Sequence, residues 1–150
     1  MNIILLSGGS GARLWPLSNE VRSKQFLKIL QNENGNESML ERMYRMIKSI
    51  DLSSRITIAT SQSQVPQIKS QLGDNVDISI EPCRRDTFPA IVLACSFLVK
   101  NGASKDEAVI VCPVDSLVDE SYFVSLRQLY EKAESGENSL CLIGIKPTYP

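Results

Sequence analysis

The chain has 150 residues, 43% of them apolar, and carries 16 lysines and arginines against 17 aspartates and glutamates, for a net charge of −1. That length holds one domain with a substantial core, and the charge balance excludes a broad nucleic-acid-binding face or a charged disordered tail. No apolar run reaches membrane-spanning length, and the N-terminus lacks the basic start and cleavage region of a signal peptide. A cytoplasmic protein with no membrane partner is expected. The complete absence of histidine excludes Ser-His-Asp and Cys-His catalysis within the chain. Cys83, Cys95, Cys112 and Cys141 form no C-x-x-C pair, and the last three lie in apolar runs. Free, buried thiols in a reducing compartment are expected rather than a zinc site.

Short apolar runs alternate with amphipathic segments. Strands are predicted over 2–6, 55–60, 76–80, 108–112 and 139–144. The first helix runs from Met39 to Ile50, with Leu40, Met43, Tyr44 and Ile47 on one face and a capping box from Ser38 and Glu41. A second, weaker helix covers Gln64–Leu72 and stops at Gly73. A third starts at Pro89, a favourable first-turn position, and runs to Lys100 before Gly102. The fourth, Glu120–Glu134, has Phe123, Leu126, Leu129 and Tyr130 as its apolar face, with Asp119 and Glu120 forming an acidic first turn. Nearly continuous apolar strands alternating with helices predict a parallel sheet covered on both faces. Ligands of such sheets bind outside the C-terminal strand ends. The segments after the first, third and fourth strands should meet there.

The segment after the first strand is Ser7-Gly8-Gly9-Ser10-Gly11-Ala12-Arg13-Leu14-Trp15-Pro16-Leu17-Ser18, with Lys24 shortly beyond. Glycines allow a sharp turn and let bare backbone N–H groups approach a ligand. Those donors and two cations, Arg13 and Lys24, suit the phosphates of a nucleotide. The dinucleotide fingerprint G-x-G-x-x-G fails, because Leu14 stands at its third glycine, and no Gly-Lys-Ser/Thr of a Walker loop occurs. The pattern G-x-G-x-R-L-x-P-L with a downstream lysine resembles the nucleotide-sugar pyrophosphorylases. With Ser23-Lys24-Gln25-Phe26-Leu27, its wording is most similar to the mannose-1-phosphate guanylyltransferase group.

The resemblance implies an α/β fold, a Rossmann-like three-layer sandwich with a mostly parallel sheet of the nucleotide-diphospho-sugar transferase type. It also implies a nucleotidyltransferase that joins GTP to mannose 1-phosphate, giving GDP-mannose and pyrophosphate with Mg²⁺. Gly8, Gly9, Ser10, Gly11, Ala12 and Arg13 would bind the nucleotide, and Arg13 and Lys24 would neutralise charge growing on the triphosphate. Glu81-Pro82-Cys83-Arg84-Arg85-Asp86-Thr87-Phe88-Pro89-Ala90-Ile91 resembles the family's Glu-Pro-x-x-Arg-Asn-Thr-Ala-Pro-Ala-Ile segment, with Asp86 for Asn and Phe88 for Ala. A carboxylate can accept from both the ring N–H and the exocyclic amine of guanine, which makes Glu81 the candidate base reader, with Arg85 near base or phosphates.

Pro113-Val114-Asp115-Ser116 matches the family's Pro-Ala-Asp-His in its proline and aspartate. Asp115 is the candidate Mg²⁺ ligand, and an aspartate capping a turn is the competing reading. The stop after Leu142–Pro150 suggests a nucleotide-binding domain over 1–150, cut short at its C-terminal end and a candidate for homo-oligomerisation through exposed apolar surface. Two alternatives remain open. One is the same chemistry with another sugar or base; the other is a non-catalytic Mg-nucleotide-binding domain.

Overall fold

A computed structural model describes residues 1–9, 18, 23–83 and 85–144. Four strands, β1 (Asn2–Leu6), β4 (Arg55–Ser61), β5 (Asp77–Glu81) and β6 (Val109–Pro113), form one parallel sheet in the order β5-β4-β1-β6. The strands begin or end within a residue of their predicted bounds. In β1, Ile3 is in register with Ile56 and Ile110, and Leu6 with Ala59 and Pro113. Residues 3 and 5 face one side and residues 4 and 6 the other, so an uninterrupted apolar run is what a strand buried on both faces requires.

Two cores follow from that alternation. On one face, Ile3, Leu5, Ile56, Ile58, Ile110 and Cys112 pack with helices α1 (Met39–Ile50), α2 (Val65–Leu72) and α4 (Glu120–Glu134), through Leu40, Met43, Ile47, Ile68, Phe123 and Leu126. On the other, Ile4 and Ala59 meet Ala94 and Leu98 of α3 (Thr87–Lys100). Helices on both sides of the sheet make the three expected layers. The α3 core is the smaller of the two, and the outer face of α3 leaves Val92 and Val99 exposed, as is Val111 at the β6 edge.

The capping box at α1 is formed: the Ser38 hydroxyl accepts from the Glu41 amide at 3.1 Å, and the Glu41 carboxylate accepts from the Ser38 amide at 2.8 Å. Ser38 also donates to Gln71 of α2 at 2.7 Å, so the cap ties two helices together. Asp119 caps α4 by accepting from the Tyr122 amide.

Several expectations are corrected. Residues 139–144 form no strand; Leu140 and Leu142 are 77% and 82% exposed. An apolar run becomes a strand only where a neighbouring edge receives its hydrogen bonds, and no ladder joins this segment to β6. A small antiparallel hairpin, β2 (Leu30–Asn32) and β3 (Gly35–Glu37), was not expected, although Asn34-Gly35 is a hairpin signal and Gly35 takes φ 123°. Helix α3 starts two residues before Pro89, and Gln64 closes a 3₁₀ turn, Gln62–Gln64, ahead of α2. Of α4's apolar face, Phe123 and Leu126 are buried, while Leu129 and Tyr130 are half-buried, as is Tyr44 on α1. All four cysteines are free, but only Cys112 is buried and Cys83 is exposed. Among the described residues, no helix is long and apolar enough to cross a membrane.

Asp86, just ahead of α3, has φ 64° and ψ −168° and is the sole non-glycine with positive φ among the described residues. That region is open essentially to glycine, and occupying it costs on the order of 1–3 kcal/mol. Replacing Asp86→Gly should therefore raise unfolding stability by about 1 kcal/mol after glycine's own entropic penalty, read from the midpoint of a urea titration. Ser38→Ala, which empties the cap and strands the Gln71 acceptor, should lower it by about 1–2 kcal/mol in the same assay.

Candidate active site

In sheet order, β1 lies between β4 and β6, and the strand order reverses there: β4 and β5 extend one way and β6 the other. The crevice outside the C-terminal ends at such a reversal is where open parallel sheets take their ligands. The Ser7 amide donates to the Ala59 carbonyl at 2.9 Å, and the Val114 amide to the Leu6 carbonyl at 3.2 Å, so pairing persists to the last residues of β1. Gly8 and Gly9 then leave the sheet between its two halves, with Gly9 at φ 142°. The Ser7 hydroxyl beneath them is 1% exposed and has no hydrogen-bond partner. A buried orphan hydroxyl costs about 1–3 kcal/mol, and this one stands at the root of the loop.

Two clusters flank these glycines. On the β4–β5 side lies a cleft of about 290 Å³, lined by Gly8, Gly9, Ser61, Glu81, Asp86 and Thr87 over a floor of Leu6, Ala59 and Ala90. Glu81, the last residue of β5, is half-buried there, and the strained Asp86 backbone helps to shape the wall. Arg85 is exposed and is not among the lining residues. On the β6 side, Asp115 follows the strand end, and its carboxylate takes the Lys24 ammonium at 2.6 Å. Both side chains are over two-fifths exposed, 41% and 44%, so the pair is held weakly and exchanges readily for other partners. Glu81 ends β5 and Asp115 lies two residues beyond β6, and three inter-strand spacings, about 14 Å, separate those two outer strands.

The structure thus brings Gly8, Gly9 and Glu81 to one cleft, and Lys24 and Asp115 to a second cluster on the same edge. Ser10, Gly11, Ala12, Arg13, Trp15 and Arg84 lie outside the described residues. Sequence reasoning missed Ser61, Thr87 and the Asp86 backbone as cleft walls. It also missed the buried side chains of Ser23, Gln25 and Gln64 that hold the loop ends. Only the -Ser23-Lys24-Gln25- wording pointed there.

Among the described residues, no group of three acidic, cysteine or histidine side chains could hold a metal by itself. A single partly exposed aspartate beside a lysine is a donor type that fits Mg²⁺, which keeps several waters and takes one or two carboxylates together with phosphate oxygens. The Cys112 thiol, buried on β6 close by, is pushed up to about 12 by desolvation and is no nucleophile at neutral pH. A second hollow, lined by Met1, Ile50, Asp51, Arg127, Tyr130 and Glu131, lies at the opposite end of β1. Its charges are already matched, the N-terminal ammonium with Asp51 at 3.1 Å and Arg127 with Glu131 at 3.1 Å.

Comparison with known proteins gives the chain's family. The chain is 32% identical over 152 residues to a mannose-1-phosphate guanylyltransferase from Salmonella montevideo, covering 98% of this chain and 30% of that protein. It is 33% identical over 150 residues to the xanthan biosynthesis protein XanB of Xanthomonas campestris pv. campestris (strain B100), covering 98% of this chain and 31% of the relative. The chain therefore spans about a third of the length of these curated relatives. A crystal structure from Thermus thermophilus, described as a mannose-1-phosphate geranyltransferase, superposes with a TM-score of 0.72 at 31% identity, over 90% of this chain and 38% of that one. A Bacillus anthracis structure at 20% identity and a TM-score of 0.61 shares the fold alone. The sequence pattern of the nucleotidyl transferase family matches residues 2–149, and the chain belongs to that family.

Proposed function

We propose that this chain is the nucleotide-binding part of a mannose-1-phosphate guanylyltransferase, which joins GTP and mannose 1-phosphate into GDP-mannose and pyrophosphate. The observation that carries the reading is the order of groups along one sheet edge. A half-buried carboxylate on β5 is followed by exposed glycine backbone on β1, and then by a lysine–aspartate pair at the β1–β6 reversal. A nucleotide laid along that edge would set its base against Glu81 and its phosphates over Gly8 and Gly9, towards Lys24. Support for the guanine and mannose halves comes from the similarity to guanylyltransferases.

The reaction forms a bond from a sugar-phosphate oxygen to the α-phosphorus and breaks the α–β phosphoanhydride, releasing pyrophosphate. Positioning and charge neutralisation supply most of the rate in such transfers. Glu81 accepts from the two guanine donors and orients the nucleoside. Lys24, released from Asp115, places a point charge beside the phosphates; Arg13, in the resemblance, adds a planar fork. Asp115 is the residue that would hold Mg²⁺, and the ion would supply further charge neutralisation at the phosphate oxygens. The reading also carries a cytoplasmic location, in keeping with four unpaired cysteines.

Calorimetric titration with GTP, ATP, UTP and dTTP in Mg²⁺ tests the base assignment. GTP should bind at least tenfold more tightly than the others, and Glu81→Gln should remove most of that preference; equal binding of ATP would overturn it. Asp115→Asn should lower GTP affinity in Mg²⁺ to the value seen in chelator. Were Mg²⁺ to strengthen GTP binding equally in the variant and the parent, Asp115 would not be the ligand. Pyrophosphate release from GTP and mannose 1-phosphate separates the catalytic reading from binding alone.

A further inference from the structure

Gln64 is completely buried; it is the N-cap residue of α2, but its side chain makes no capping hydrogen bond and turns to other partners. Its Nε2 donates to the Ser23 hydroxyl at 2.8 Å and to the Gly9 carbonyl at 3.3 Å. The Ser23 hydroxyl in turn donates to the same Gly9 carbonyl at 3.0 Å, closing a triangle across fourteen positions of sequence. Next to it, the Gln25 amide donates to the Ser7 carbonyl at 2.8 Å. The outgoing arm, Ser7 to Gly9, and the returning arm, Ser23 to Gln25, are therefore joined through side chains, with no strand ladder between them. A carbonyl only accepts, so the Gln64 atom facing Gly9 must be the nitrogen. The remaining Oε1 accepts from the Thr60 hydroxyl of β4 at 2.7 Å, which anchors the amide to the sheet.

The residue after Ser23 is Lys24. Its backbone opens a 3₁₀ turn closed by the Phe26 amide on the Ser23 carbonyl and the Leu27 amide on the Lys24 carbonyl, both at 3.1 Å. Whatever holds Ser23 therefore holds the stem of the lysine that reaches Asp115. We propose that Gln64 is a positioning residue of the nucleotide site. Anchored to β4 through Thr60, it sets the Gly9 backbone and, through Ser23, the Lys24 ammonium at a constant spacing on the sheet edge. Such a fully satisfied buried amide resists slippage, because breaking either bond leaves a desolvated polar atom unpaired. The inference rests on the nucleotide-binding reading above, but its structural half can be judged without it.

The experiment uses the 150-residue chain with Gln64→Met, which keeps the volume and removes the polar bonds. Amide hydrogen exchange at Phe26 and Leu27 should accelerate by about tenfold while amides of β1 and β4 keep their protection. Mg-GTP should bind about tenfold more weakly than to the parent chain. Adding Lys24→Met should then cost less affinity than it does in the parent, because the lysine would already be misplaced. Ser23→Ala, which removes two of the triangle's three bonds and leaves those of Gln64 to Gly9 and Thr60, should show the same pattern at smaller amplitude, and it replaces Gln64→Met should that variant fail to fold. Unchanged exchange at Phe26 and Leu27 overturns the proposal, as does strict additivity of the two substitutions. Failure of the parent to bind any nucleotide would sink the functional reading, leaving the exchange result to decide the positioning role.

Discussion

The paired hydrogen-bond ladders on either side of β1 govern everything else in this molecule. Because β4 and β6 both run parallel to β1 and in register with it, the four strands end along one edge. Chain segments far apart in sequence then emerge side by side. The ladders also bury β1 on both faces, so Ile3, Ile4 and Leu5 are fully shielded. Shielding each of these side chains contributes roughly 1.5–3 kcal/mol, which makes the strand a rigid base for whatever leaves its end.

The site consequently consists of two halves with different physics. The β4–β5 half is a walled cleft with a half-buried carboxylate, suited to reading a flat, hydrogen-bonding group. The β6 half is open, and its lysine and aspartate neutralise each other while solvent competes for both. An exposed pair of this kind contributes little to stability, so exchanging it for the phosphate and metal of the proposed function would cost little. A tighter, buried pair would hold its own partners and oppose a ligand. Rigidity is instead invested in the backbone approach to the lysine, through Gln64, Ser23 and Gln25.

The strained backbone of Asp86 and one unsatisfied hydroxyl lie at the same edge. Asp86 occupies a backbone region suited to glycine, and the Ser7 hydroxyl is buried without a partner. Both lie within or next to the cleft. Their place beside the cleft is what is expected of a fold whose stability is supplied by the sheet and whose chemistry is carried by the loops.

Much of this was legible in the residues alone. The apolar runs dictated strands and their burial on two faces, Ser38 and Glu41 dictated where α1 starts, and the glycine, arginine and lysine pattern pointed to the family. These are local signals, in which neighbouring residues determine the outcome. Three things were decided only by tertiary structure. Residues 139–144 are as apolar as a strand but form no ladder with the sheet. Gln64 reads as an ordinary helix-start residue until Gly9 and Ser23 are brought to it. Lys24 and Asp115 stand 91 positions apart in sequence, and only the placement of β6 beside β1 joins them. The physical reason is common to all three: hydrogen bonds and ion pairs need a partner in space, and a linear sequence names the groups without saying which of them will meet.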